Sequence, residues 1–365
     1  MRSTTIRVAA ATLACFSVVA AGCSTKSKGT TSSGDAKTAK VAFLMPDEAS
    51  TRYEQHDKPG FVAEMKTLCA KCQVLYQNAD ADATKQQQQF QSVLSQGVKA
   101  IVIDPVDSTG AVSLVNQAKA KGVKVIAYDR PIPKAKLDYY VSFNNEAIGK
   151  AIASSLVQHL KSANVSPSSG GLLEVNGSPT DAAAGLIKKG IHEGLAGGGY
   201  KTLAEYDTPD WDPSKAQQWV SGQVSRFHKQ ILGVVAANDG TGGGTISAFK
   251  AGGLTPIPPV TGNDATTAGL QLIIAGDQYN TISKPSEIVA GAAAKVVWGL
   301  LNNKKPKATA TLFGSPAQLF TPTLVTAQNL KQDVVDKSVG GKPIATAAQL
   351  CGGRYATGCS KLGIT

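Results

Sequence analysis

The chain is poor in aromatic residues, which make up 6% of its 365 positions and include only three Trp. An aromatic ring beside a candidate pocket is therefore informative. Histidine is scarcer still, with four residues at 56, 159, 192 and 228. His192-Glu193 lacks a second His four residues after the first, so the helical zinc-protease motif is excluded. No stretch reaches the ~20 apolar residues that cross a bilayer, and a multi-span membrane protein is excluded. Hydrophobic residues at 42% and charged residues at 17% also exclude a disordered chain. There is no Gly-x-Ser-x-Gly elbow. The glycine run Asp239–Gly244 lacks both the dinucleotide spacing and the Gly-Lys-Ser/Thr of a phosphate loop. It reads instead as a helix N-terminus beside a cleft.

A net charge of +11 would suggest nucleic acid or an anionic membrane as partner. Its distribution argues otherwise. Residues 1–40 hold six basic residues against Asp35, which leaves +6 on the other 325. That remainder contains no run of five like charges, so no nucleic-acid partner is expected. Arg2 and Arg7 precede a short apolar run, Val8 to Ala21, which reads as an export signal over residues 1–22. The run ends Val19-Ala20-Ala21-Gly22-Cys23, resembling a bacterial lipobox in which Cys23 takes the lipid. Residues 23–40 are rich in Ser, Thr, Gly and Lys and read as a flexible tether. The expected location is extracytoplasmic, with a lipid anchor in the cell membrane.

Six Cys include Cys15 in the signal and Cys23 at the lipidation site. Outside the cytoplasm the other four favour disulfides, in any of three connectivities. Local pairing, Cys69 with Cys72 and Cys351 with Cys359, is expected. The CxxC at 69–72 closes a helix rather than opening one, which disfavours redox chemistry. The eight-residue spacing of the second pair disfavours a four-cysteine zinc site. No metal and no cofactor are expected.

From Val41 onward a short β-branched run, a polar turn and an amphipathic stretch recur. Strands are expected near 41–44, 73–76, 100–103, 123–127 and 139–143, then near 172–175, 202–206, 232–236 and 259–261. Phe90, Val93 and Leu94, and later Ile187, Ile191 and Leu195, show helical spacing. Two such series predict two doubly wound α/β lobes built on parallel sheets. A strand at 279–283, a helix at 287–301 and a strand at 322–326 follow and could shuttle between lobes.

Ligands bind beyond the carboxyl ends of parallel strands. Those ends carry Asp47, Asp104, Asp129-Arg130, Asn176, Asn238-Asp239 and Asn263-Asp264. Carboxylates, amides and Arg together match the paired donor and acceptor of each hydroxyl on a neutral polyol. Tyr53 and Trp211, in loops after strands, could cover the C–H face of a sugar ring. Asp and Asn also cap local backbone at strand ends, so each position alone is weak and the set carries the reading.

Val125-Ile-Ala-Tyr-Asp-Arg130 and Tyr139-Tyr-Val-Ser-Phe-Asn-Asn-Glu146 closely resemble the type I periplasmic sugar-binding family, in particular its D-xylose-binding members from bacterial ABC importers. Thr51–Glu54, Asn176–Asp181, Asp207–Trp211, Ala237–Asp239, Pro259–Gly262 and Ser283–Pro285 extend the match over about residues 41–330. The resemblance implies two lobes joined by three hinge crossovers. The first would comprise 41–143 plus 284–318 and the second 144–283 plus 319–345, with a disulfide-closed tail at 346–365. It places ligand contacts at Arg52, Tyr53, Asp129, Arg130, Asn145, Trp211, Asn238, Asp264 and Lys284, with Tyr53 and Trp211 sandwiching the ring. It implies no catalysis, a monosaccharide ligand, an ABC permease as partner, and a monomer. A sensory receptor partner and, more remotely, a sugar-active enzyme are the rival expectations. The family commonly has a sugar-contacting Asn where this chain has Ala182-Ala-Ala-Gly185, and the pocket is expected to lack that donor. Asn263, Asn144 and Ile282-Ser283 also depart from the common pattern.

Overall fold

A computed structural model describes residues 36–339 and 342–365. The expected signal, Cys23 and most of the tether lie outside the described residues. Among those described, no helix is long and apolar enough to cross a membrane.

The first sheet has a core of five parallel strands. They are β1 (Lys40–Met45), β2 (Gln73–Asn78), β3 (Ala100–Ile103), β4 (Lys124–Tyr128) and β5 (Tyr139–Phe143). Their order is β2-β1-β3-β4-β5. Alternation within β1 sets the layers. Val41, Phe43 and Met45 face the helices Lys58–Leu68 and Ser286–Leu301, where Phe43 stacks on Phe61 at 4.3 Å. Ala42 and Leu44 face the helices Ala83–Ser95 and Ala111–Ala120. Both faces are covered, which explains the unbroken apolar runs.

The second sheet is shorter. β6 (Gly171–Asn176) lies between β7 (Lys201–Asp207) and β8 (Ile231–Ala236), all parallel. Helices Asn145–Ser162 and Ala182–Leu195 cover one face, and Pro213–Phe227 and Asp239–Ala251 the other. The first pair is in backbone contact. A Cβ on Gly149 would lie 1.9 Å from the Ile187 carbonyl, and one on Gly190 2.0 Å from that of Glu146. Only glycine permits this approach.

β9 (Asn280–Ser283) pairs antiparallel with β12 (Thr323–Thr326). The chain passes between lobes three times: at Asn144, at Lys284-Pro285 and at Thr321-Pro322. The passages run side by side, since Thr323 pairs with Ser283 and Asn144 N–H donates to Phe320 O at 2.9 Å. A type I periplasmic binding protein fold results, with two doubly wound lobes as expected.

One expected strand is absent, and other local features add to the expected pattern. Residues 259–261 form no strand, because Pro259 has no N–H to donate, and only a single bridge from Val260 to Val234 is made. A hairpin of β10 (Ala310–Leu312) and β11 (Ser315–Phe320) adds to the first sheet beside β5. The strand that closes this sheet runs to Phe320. The last ~35 residues pack on the helix Thr267–Ala275 through Leu330, Val334, Leu350 and Ile364. Disulfides join Cys69 to Cys72 and Cys351 to Cys359.

Candidate functional site

The carboxyl ends of both sheets open onto one cleft. All nine ligand positions named from the sequence line it: Arg52, Tyr53, Asp129, Arg130, Asn145, Trp211, Asn238, Asp264 and Lys284. Ser50, Asp181, Ala183, Ile187 and Asn263 complete the wall.

Arg130 follows β4 and is buried among carboxylates. Its Nη2 donates to Asp47 Oδ2 at 2.5 Å, and its Nε lies 3.3 Å from Asp181 Oδ2 and 3.5 Å from Asp104 Oδ1. Asp181 belongs to the second lobe, so this contact bridges the cleft. Burial pushes both Asp104 and Asp181 up, and Arg130 pulls them back only in part. Removing Arg130 would leave three buried acids without their shared cation. Arg130 therefore ties both lobes together as well as lining the cleft.

Arg52 pairs with Asp129 Oδ2 at 3.1 Å and with Asp57 Oδ1 at 3.3 Å. Tyr128 OH also donates to Asp57. Arg52 Nε is buried without a hydrogen-bond partner. Burial raises the Asp129 pKa, but Arg52, Lys284 and Arg130 outweigh it and hold the carboxyl below its ordinary value. Asp129 thus stays an ionised acceptor at neutral pH. Lys284, at the second passage between lobes, pairs with Asp264 at 2.8 Å.

Several of these residues sit on unusual backbone. Asp129 (φ 55°), Trp211 (φ 57°) and Asp264 (φ 110°) are left-handed without being glycine. Such conformations cost ~1–3 kcal/mol each and concentrate where a site needs a side chain aimed against local preference. Trp211 is further fixed by Nε1–H donating to Asp181 Oδ2 at 3.1 Å. Its ring lies against Gly177, where a Cβ would meet ring carbons at 2.1 Å.

The helix caps explain the amide orientations. Asn238 caps the helix Asp239–Ala251 with Oδ1 accepting from Thr241 N–H at 2.8 Å. Its amide NH₂ is thereby left as the donor end. Asp181 caps the helix Ala182–Leu195 through Ala183 N–H at 2.7 Å. That cap signal hid its place in the cleft from sequence reasoning. Behind Asp264, Asp239 is fully buried and accepts from Thr281, Gln278 and Thr266. Burial, then the Asp264 charge, push it up to about 7.

The lobes touch across the cleft. Ser108 N–H donates to Thr180 O at 3.0 Å, and Ala182 N–H donates to Ser108 Oγ at 3.1 Å. One wall is thus ionic, one face is aromatic, and Ala183 with Ile187 at helical spacing supplies an apolar strip.

The family profile for the periplasmic binding protein domain matches residues 41–305. The D-xylose-binding periplasmic protein of Escherichia coli K12 is 33% identical over 308 residues, covering 82% of this chain and 90% of that protein. The protein of the same name from Haemophilus influenzae is 32% identical over 312 residues, covering 83% and 91%. Among solved structures, a carbohydrate transporter solute binding protein from Chloroflexus aurantiacus in complex with D-glucose superposes with TM-score 0.76 at 25% identity, covering 86% of this chain and 98% of that one. The profile spans well over half the chain and agrees with the two-lobed cleft, so the chain belongs to the periplasmic binding protein family.

Proposed function

We propose that the chain is a non-catalytic, lipid-anchored receptor that captures a monosaccharide, a pentose such as D-xylose, and delivers it to an ABC permease. The lining carries this reading: nine polar or aromatic side chains from both lobes converge on one cleft. Asp129 and Asp264 would accept from hydroxyls, and Arg52, Arg130, Asn145, Asn238 and Lys284 would donate. Tyr53 and Trp211 would cover the two faces of the ring. The named relatives bind D-xylose, which supports the choice of sugar class.

Sugar binding would favour the closed arrangement, since contacts from both lobes form only when the cleft shuts. The Ser108–Thr180 and Arg130–Asp181 contacts would then help hold it. Calorimetry against a panel of pentoses and hexoses tests the reading; binding of a pentose supports it, and no heat with any sugar overturns it. Mass spectrometry of the membrane fraction tests anchoring at Cys23. A Cys23→Ser chain is expected to be unlipidated and released.

A further inference from the structure

Outside the cleft, on the helix-covered side of the second sheet, three ligating side chains meet. Glu174 on β6 and Glu205 on β7 are direct cross-strand neighbours. Like charges so placed repel. His192, from the helix Ala182–Leu195, reaches over both. Its Nε2 lies 3.1 Å from Glu174 Oε2 and 3.1 Å from Glu205 Oε1, and all three ligand atoms fall within 4.8 Å of one another.

One imidazole nitrogen carries one proton or one lone pair, so it cannot make a linear hydrogen bond to both carboxylates. The geometry leaves Glu174 Oε2 buried without a hydrogen-bond donor, in a residue only 2% exposed. Its other oxygen accepts from Thr202 Oγ1. A buried carboxylate oxygen, an imidazole nitrogen and a second carboxylate oxygen that converge in this way can be satisfied together by one cation.

We propose that Glu174, His192 and Glu205 form a three-ligand site for a zinc-class divalent cation. Tetrahedral zinc with bonds of ~2.0–2.1 Å spaces its ligand atoms by ~3.3 Å. The 3.1 Å separations need little adjustment to reach that. His192 and Glu205 are partly exposed, which leaves a side open for a solvent ligand. The surroundings suit a cation. Asn176 Nδ2 donates to Glu205 at 2.8 Å and orients it. Lys188 Nζ contacts Glu205 at 3.0 Å and Asp207 at 2.9 Å, so it offsets one of the negative charges of the metal-free cluster and has Asp207 as a second partner. With the three carboxylates and one ammonium, a neutral imidazole leaves a double negative charge for the ion to balance. Calcium and magnesium, which prefer all-oxygen shells, fit poorly. A bound ion would clip β6, β7 and the helix whose first turns carry Ala183 and Ile187 to the cleft.

The test uses the mature chain, tag removed and metal-stripped, titrated with Co²⁺ and then Zn²⁺. One equivalent of Co²⁺ is expected to give the intense visible absorption of a four-coordinate N/O site, and Zn²⁺ to bleach it and raise the melting temperature. His192→Ala should abolish both responses, and Glu205→Gln should weaken binding at least about tenfold. Lys188→Ala, which removes the competing ammonium, should tighten it. Absence of any response at millimolar metal would overturn the site. So would binding that survives His192→Ala unchanged, which would place the ion elsewhere.

Discussion

Gly177→Ala tests the aromatic cover of the cleft with a single methyl group. The new Cβ would stand 2.1 Å from Trp211 Cζ2 and Cη2 and 2.6 Å from Cε2, where ordinary contact begins at 3.4 Å. The ring must therefore withdraw by about 1.3 Å. It cannot do so freely, because Nε1 is tied to Asp181 and the Trp211 backbone is already left-handed. Straining or losing that bond to a charged acceptor costs ~1.5–3 kcal/mol of stability. If ~60 Å² of ring–ligand contact is lost, binding weakens by ~1.5 kcal/mol, or about tenfold. Gly185→Ala is the control: it lies exposed in the helix Ala182–Leu195, and its Cβ meets nothing within 4 Å. That change should leave affinity alone and raise stability by up to ~1 kcal/mol. Calorimetry with the best-bound sugar reads affinity, and a urea melt reads stability. Unchanged affinity in Gly177→Ala, with a melt showing the expected destabilisation, would refute Trp211 as a ligand cover.

Other outcomes follow from the same geometry. Arg130→Ala should abolish sugar binding and also lower stability by ~3–5 kcal/mol, since buried acids lose their cation; a stable variant by urea melt would contradict the network. Ala183→Asn adds an amide to the apolar strip and should tighten D-xylose binding in calorimetry, while equal affinity would remove the argument from the missing donor. Asp239, held at about 7 when folded against an ordinary 3.8, binds its proton more tightly in the folded state. Its contribution to stability is full below pH ~4 and is lost as pH rises to ~7; Asp239→Asn should flatten that part of the stability–pH curve, and an identical curve would show that another group sets it.

The sheets were legible because parallel strands covered on both faces read as unbroken apolar runs, as in Ala100–Ile103 and residues 125–128. The β10–β11 hairpin was not, because Ala310–Leu312 is short and the next strand opens Ser315-Pro316, a pair that reads as a turn. At the site, Asp129, Arg130, Asn238 and Asp264 were visible from their positions after strands. Arg52 and Lys284 carried no such signal and were reached only through the family resemblance. Asp181 was masked by its helix-capping role, and the ties of Arg130 to Asp47, Asp104 and Asp181 depend on partners far apart in the chain. His192 looked inert because its partners come from two strands rather than from its own helix.

The glycine contacts between helices Asn145–Ser162 and Ala182–Leu195 have a consequence for anyone retuning the receptor. Gly149 against Ile187 and Gly190 against Glu146 leave no room for one helix to slide or tilt on the other. Asn145 at the start of one and Ala183 near the start of the other therefore form a fixed gauge across the pocket floor. A differently sized ligand cannot be accommodated by backbone adjustment there. Altered selectivity would have to come from side-chain exchange at positions such as 183 and 187, against a ruler whose length does not change.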